Sequence, residues 1–450
     1  MRRKLSQVAA SVGGTLHGDD VMVEGVATDS RDVERGNLFV AIAGEQVDGH
    51  AFVDQAMNHG AVAALVSRET AGASILVEDT RDALMNLTRD ERAVMGAKVV
   101  GITGSTGKTS VKDLTSSVLA SRFRVWSSPR SFNTEVGVPL TILNAPSGTE
   151  VVVVEMGSRG IGHIARLCEI AEPHIGVVTN VGPAHMEMFG SLQNVATAKG
   201  ELVEALPPDG VAVLNADDPL VDAFESRSRA GVIRFGVSPH ADVRGDDVVL
   251  DELGRPSFTL VAPDGSERME LPVPGEHMAW NALAAAAAGI ALGLSVGECA
   301  SGLKDVRLSP WRMELQDGAG GVRILNDAYN ANPTSMAAAL KAARWMAKGG
   351  RSIAVLGEMA ELGEISAAEH ERIGEIVARL GIDHLVVIGP RAFGIAIGAE
   401  REGVEPERIR RVETTDEAAR VVRDIATEGD VVLVKGSRVA GLERVAEALS

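Results

Sequence analysis

GITGSTGKTS, residues 101–110, follows the apolar pair Val99 and Val100 and precedes a run of helix-permissive residues. It reads as a strand, a glycine-rich turn and the start of a helix. Glycines at 101, 104 and 107 let the backbone adopt positive φ and approach an anion closely, with successive N–H groups and the helix N-terminus turned towards it. Gly104, Ser105, Thr106, Gly107 and Ser110 then form a phosphate nest. Lys108 supplies a mobile charge for the terminal phosphates, and the Thr109 hydroxyl is a hard oxygen ligand for Mg2+. The common phosphate-loop pattern has glycine five residues before Gly107, where this chain carries Ile102. The segment is therefore a variant of that loop.

Around it lie 450 residues, a length that suggests about three domains. Hydrophobic residues make up 45% and charged residues 24%, as in an ordinary globular protein, but aromatics are only 3%, so alanine and valine must fill the cores. A net charge of −18 without a long basic run argues against a nucleic-acid partner. The two cysteines, Cys168 and Cys299, exclude a disulfide framework, and Cys168 in IARLCEI reads as a buried core thiol. MRRKLSQVAA lacks an apolar signal region and the apolar run at 282–294 is too short to span a bilayer, so no membrane insertion and a cytoplasmic location are expected.

Before the loop, VEGVATDS, NLFVAIAG, AVAALV and SILV alternate with a helix through AFVDQAMNHG, which predicts a small α/β domain over 1–96 closed by a helix over 80–95. Its polar punctuation is TDSR (Thr28, Asp29, Ser30, Arg31) and DGH, with Asp48 and His50. These positions suit either binding groups or turn chemistry. Residues 97–310 keep a βα rhythm through VVGI, FRVWS, VVVVEMG, IGVVTNVG, VAVLN and VIRFG, the pattern of a parallel sheet covered on both faces. Residues 242–274 shift to short alternating strands around GRP and PDGS, an antiparallel insert, before an alanine-rich helix over 277–294. SPWRME, 309–314, reads as a hinge into residues 311–450, where VRILND, RSIAVLG, HLVVIG, RIRRVE and DVVLVKG predict a doubly wound, Rossmann-like sheet. Ligands bind such sheets beyond the strand ends, which singles out DAYNANP (327–333), GEMAELG (357–363) and KGSR (435–438).

Several polar residues stand at comparable strand ends. Glu155, ending VVVVE, must be solvated, paired or metal-bound, and a carboxylate there is placed to hold Mg2+. His185 in TNVGPAH is either structural or a second cation ligand. Lys199 by composition is a solvated helix lysine, and Asn133 and Thr134 either cap the next helix or bond phosphate.

GITGSTGKTS, NTEVGVP, EMGSRGIGHI, TNVGPAHMEMFGS, AKGEL, WRME, DAYNANPTSM, GEMAELG and VKGSR together resemble the Mur ligase family of peptidoglycan synthesis, in the family's order and over nearly the whole chain. DAYNANPTSM is most similar to the branch that adds D-alanyl-D-alanine to UDP-N-acetylmuramoyl-tripeptide, while the DNPR motif of the diaminopimelate-adding branch is absent. Met186 stands where the family usually has leucine, an apolar swap. The resemblance implies an ATP-dependent amide ligase with two Mg2+ ions. Thr109 and Glu155 would hold the first ion. His185 and a carbamylated Lys199 would hold the second, overriding the compositional reading of that lysine. Lys108 and Arg312 would face the γ-phosphate, Asn281 the base and Asp327 the ribose. Tyr329, Asn330, Asn332, Lys435 and Ser437 would line the peptide and the incoming dipeptide, and a monomer is expected. A folate polyglutamate ligase shares the phosphate-loop variant but not TDSR, NANP or VKGSR, and a nucleotide-binding switch module is the non-enzymatic alternative.

Overall fold

The computed structural model describes residues 1–44, 47–128 and 131–450. Its strands form three main sheets, each drawn from a separate stretch of the sequence, and a two-stranded ribbon pairing Arg2–Lys4 with Met22–Glu24. The first sheet has the order Thr15–His17, Ser74–Leu76, Ala63–Val66, Leu38–Val40, Val26–Ala27. The helix Thr80–Val94, capped by the Asp79 carboxylate, follows it.

Nine strands make the second sheet, in the order Gly265–Glu270, Pro256–Ala262, Val243–Leu250, Gly231–Gly236, Val211–Asn215, Ile175–Val178, Lys98–Thr103, Val151–Glu155, Val125–Ser127. The strand leading into the phosphate loop lies between the two strands that end in Glu155 and Val178, all parallel. Val151–Glu155 is buried along its whole length because helices cover both faces. Lys108–Ala120 and Met278–Ala291 pack on one face. Gly137–Leu143, His163–Ala171 and Leu192–Glu204 pack on the other. Small side chains set the spacing: a Cβ on Gly302 would meet the backbone of Val118 at 2.6 Å, and one on Gly289 would meet its side chain at 2.8 Å. Alanine thus fills the space that aromatics would otherwise occupy. The insert extends this same sheet: Val243–Leu250 joins Gly231–Gly236 in parallel, and Pro256–Ala262 and Gly265–Glu270 follow it antiparallel. Cys168 and Cys299 are both buried, and burial pushes their thiols up to about 12.

The third sheet runs Glu314–Asp317, Arg323–Asn326, Val431–Lys435, Ser352–Leu356, His384–Ile388, Ile409–Val412. Its first strand is antiparallel, short and polar, and begins at the last residue of the SPWRME hinge. Asp327, Gly357 and Gly436 each follow one of three adjacent parallel strands, so DAYNANP, GEMAELG and KGSR emerge side by side. No helix among the described residues is long and apolar enough to cross a membrane.

Candidate active site

The loop at 101–110 turns on Gly104, with φ of 146°, and Gly107, with φ of 81°, and the helix Lys108–Ala120 begins immediately after it. A Cβ on Gly104 would collide with the Thr179 hydroxyl, and one on Gly107 would sit 2.7 Å from the Asn281 side-chain oxygen. Both positions therefore require glycine. Asn180 braces the turn, accepting from the Thr106 N–H at 2.9 Å and donating to the Thr106 hydroxyl at 2.7 Å. Ser105 donates to the Gly182 carbonyl at 2.9 Å. Lys108 Nζ folds over the loop and donates to the Gly104 carbonyl at 2.8 Å. Desolvation lowers its pKa, Glu155 opposes the shift and Arg312 adds to it.

Thr109 gathers the neighbouring groups. Its hydroxyl donates to Glu155 Oε2 at 2.9 Å and lies 2.9 Å from Ser131 Oγ, and Arg312 Nη2 donates to it at 2.9 Å. Asn133 Nδ2 holds the other Glu155 oxygen at 2.8 Å, whereas Thr134 Oγ1 accepts from the N–H of Gly137, the first residue of the next helix, at 3.3 Å. Arg312 stacks on the Tyr329 ring at 4.0 Å, and its buried Nε has no hydrogen-bond partner. A buried unpaired guanidinium donor beside Lys108 suits a phosphate oxygen. Among the described residues no three His, Cys, Asp or Glu side chains gather as a metal cage. Thr109 with one carboxylate is still compatible with Mg2+, which is commonly held by one or two carboxylates together with substrate phosphates and water.

Lys199 is buried, 2% exposed, and donates to Ser158 Oγ at 3.0 Å. Its pKa falls well below the ordinary value, first because it is desolvated and then because Lys108 is near. His185, at φ of 53°, lies with its Nδ1 2.5 Å from Glu361 Oε2. Burial lowers its pKa while Glu361 opposes that shift.

The third sheet closes the other side. Lys435 Nζ bonds Asp327 Oδ2 at 2.5 Å and the Asn330 carbonyl at 2.9 Å, and Asp327 Oδ1 accepts from the Met313 N–H at 3.1 Å. Asn332 caps the helix Pro333–Met346, and its Nδ2 reaches the Ser105 carbonyl of the phosphate loop at 3.5 Å. Ser437 Oγ accepts from the Ala360 N–H at 2.8 Å. Loop, acidic strand end, Lys199, His185, Asn281, Arg312 and this third-sheet set all line one cavity of about 1070 Å3.

The first sheet contributes differently. Thr28, Asp29 and Arg31 line a second cavity of about 2070 Å3, shared with Ser131, Thr134 and Asn144. Asn144 ties the two regions together by bonding both backbone groups of Val26, at 2.8 and 2.9 Å. Ser30, Asp48 and His50 line neither cavity. Ser30 bonds Gln55 at 3.1 Å, while His50 Nε2 accepts from the Ser67 N–H at 2.9 Å and its Nδ1 meets Asp48 at 2.7 Å. These three brace the first sheet internally. Ser158, Asn180 and Glu361 are site neighbours that residue-by-residue reading did not single out, though each lies inside a motif it quoted.

Models of three family segments match in order: Mur ligase family, catalytic domain, at 22–103; Mur ligase middle domain at 102–289; and Mur ligase, glutamate ligase domain, at 311–438. A UDP-N-acetylmuramoyl-tripeptide–D-alanyl-D-alanine ligase of Mycobacterium tuberculosis is 39% identical over 99% of this chain and 97% of its own length. The crystal structure of MurF from Acinetobacter baumannii superposes with a TM-score of 0.89 at 29% identity, covering 100% of this chain and 99% of that one. MurF from Thermotoga maritima in complex with ADP superposes with a TM-score of 0.82 at 31% identity, covering 95% and 97%. With its phosphate loop, acidic strand end and hinge arginine meeting in one cavity and its whole length matched, the chain belongs to the Mur ligase family, on the side of its MurF members.

Proposed function

We propose that this chain joins D-alanyl-D-alanine to UDP-N-acetylmuramoyl-tripeptide at the expense of ATP, through an acyl phosphate, releasing ADP and phosphate. The observation that carries the reading is the single cavity in which Lys108, Thr109 and Glu155 of the central sheet meet Arg312, Asp327 and Lys435 of the third-sheet side. Residues 1–96 would bind the nucleotide-sugar peptide, 97–310 ATP, and 311–450 the dipeptide while closing over ATP. The reading extends to a monomer working in the cytoplasm.

A carboxylate is a poor electrophile, so amide formation needs an activated acyl group. The tripeptide carboxylate attacks the γ-phosphorus of ATP, ADP departs, and the carboxyl carbon then carries a phosphate leaving group. Lys108 and Arg312 face the charge that develops on the transferring group and are held there by the Gly104 carbonyl, Thr109 and the Tyr329 ring. Bound at Thr109 and Glu155, Mg2+ would neutralise phosphate charge, and a second ion would sit at His185 and a carbamylated Lys199. The neutral amine of the dipeptide attacks the acyl carbon, and the tetrahedral intermediate collapses with loss of phosphate. Asn281, whose side chain lies beside Gly107, would orient the nucleotide base. Asp327 is already engaged by Lys435 and the Met313 N–H, so its ribose contact would be made by a carboxylate held rigid.

A substrate panel read as ADP release tests this. With UDP-N-acetylmuramoyl-tripeptide and D-alanyl-D-alanine both present, ADP accumulates; with either omitted, or with single amino acids replacing the dipeptide, release stays near background. Vigorous ATP hydrolysis independent of both would instead favour a nucleotide switch, and folate-dependent turnover a folate ligase.

A further inference from the structure

Glu361 is a carboxylate that the third sheet sends onto the His185 loop, and the reaction scheme above gives it no part. It sits in GEMAELG with φ of 61°, a left-handed conformation that a non-glycine residue adopts only under constraint. The constraint is visible at three points. Its Oε2 lies 2.5 Å from His185 Nδ1, its Oε1 lies 3.3 Å from Arg159 Nη2, and its carbonyl accepts from the Glu187 N–H at 3.3 Å. Gly363 presses on the same loop, where a Cβ would sit 2.9 Å from Glu187 Cα. Arg159 follows the strand ending in Glu155, and His185 follows the strand ending in Val178. One residue following a third-sheet strand therefore grips both the loop that carries His185 and the loop whose Ser158 hydrogen-bonds Lys199.

Stability does not account for this arrangement. Arg159 is 67% exposed and Glu361 38%, and an ion pair that open to water contributes little. The contact to His185 does something more specific. A carboxylate at Nδ1 fixes the proton on that nitrogen and leaves the Nε2 lone pair for a cation, the arrangement by which outer-sphere carboxylates orient metal-binding histidines. His185 has φ of 53°, so its own backbone does not rest in a common well and the ring direction depends on such a partner. Because Glu361 reaches His185 only when the third sheet is docked, histidine orientation and docking are one event.

We propose that Glu361 is a positioning residue that couples docking of the third sheet to cation binding at His185. The inference rests on the reading of His185 and Lys199 as a second Mg2+ site. By linkage, an ion at His185 favours the docked arrangement as strongly as docking favours the ion.

The test uses the full chain with a non-hydrolysable ATP analogue, titrated with Mn2+ as the probe while free Mn2+ is followed by electron paramagnetic resonance. Solution X-ray scattering on the same samples reads docking as a contraction. The wild-type chain should take up two ions and contract as the second binds. Glu361→Ala should keep the first ion at unchanged affinity, which also reports that the nucleotide site is folded, and should bind the second roughly 10- to 100-fold more weakly, with contraction displaced to the same Mn2+ concentration. Glu361→Gln, whose amide oxygen still accepts from Nδ1, should lose less than the alanine variant. The proposal is overturned if Glu361→Ala holds the second ion and contracts as the wild type does, or if the glutamine and alanine variants lose equally. A wild-type chain that takes up only one ion overturns both this inference and the two-ion reading beneath it.

Discussion

Lys108→Ala should lower kcat by about 100- to 1000-fold, roughly 2.7–4 kcal/mol of transition-state stabilisation, the scale on which a single preorganised donor acts where charge develops. The estimate follows from placement. Lys108 Nζ hangs over the glycine turn on the Gly104 carbonyl, so it stands at the phosphate nest without being committed to a carboxylate partner. Desolvation lowers its pKa, and the same low-dielectric surroundings strengthen its interaction with a polyanion. Because alanine removes a charge used mainly as the phosphoryl group transfers, kcat should fall more than the affinity for ADP. Steady-state turnover and ADP titration on the same protein separate the two. An unchanged kcat would remove the phosphate-loop assignment altogether.

The second large effect is expected at Lys199. Burial lowers the pKa of Lys199 and so favours its neutral amine, and a neutral amine adds CO2 to give a carbamate and a proton. The resulting anion would sit close to Lys108 and His185, both of which act electrostatically on this region. Lys199→Ala should reduce turnover by about 100-fold or more, on the scale of losing an inner metal ligand. Short-chain carboxylic acids should restore part of it by supplying the missing oxygens. The wild-type enzyme should weaken in CO2-depleted buffer and recover with bicarbonate. At a fixed concentration of dissolved CO2 the sign with pH is set by the amine: recovery should be faster at higher pH, where more of it is deprotonated. Indifference of both proteins to carboxylate and bicarbonate would sink the carbamate.

The sequence makes legible whatever is local. The phosphate loop announces itself because its chemistry needs glycine at fixed spacing, and the structure shows why, with Thr179 and Asn281 occupying the space that Cβ atoms at Gly104 and Gly107 would need. Glu155 was visible because a charge ending four valines demands an explanation. The helix Leu5–Val12 and the strand Glu314–Asp317 escaped, one for its brevity and the other for its polarity, so neither leaves a strong periodic trace.

Long-range pairing was the harder part. His185 and Glu361 are 176 residues apart and Lys435 lies 108 residues from Asp327, so no spacing rule connects either pair. Asp48 and His50 show the same limit from the other side: their polarity suits binding or turn chemistry alike, and in the fold they bond each other and the Ser67 N–H within the first sheet. Lys199 needed tertiary context most of all: its helix pattern alone suggests a solvated face, whereas packing leaves it 2% exposed.

The central claim is that ATP activates the tripeptide carboxylate by phosphoryl transfer to one of its oxygens, giving the acyl phosphate that the dipeptide amine attacks. UDP-N-acetylmuramoyl-tripeptide labelled with 18O in both oxygens of its terminal carboxylate tests that claim most directly, with the released phosphate read by 31P NMR. An acyl phosphate requires the bridging oxygen to leave with phosphorus, so each pentapeptide formed should release one phosphate carrying a single 18O, alongside ADP. Unlabelled phosphate, or AMP in place of ADP, would contradict the account.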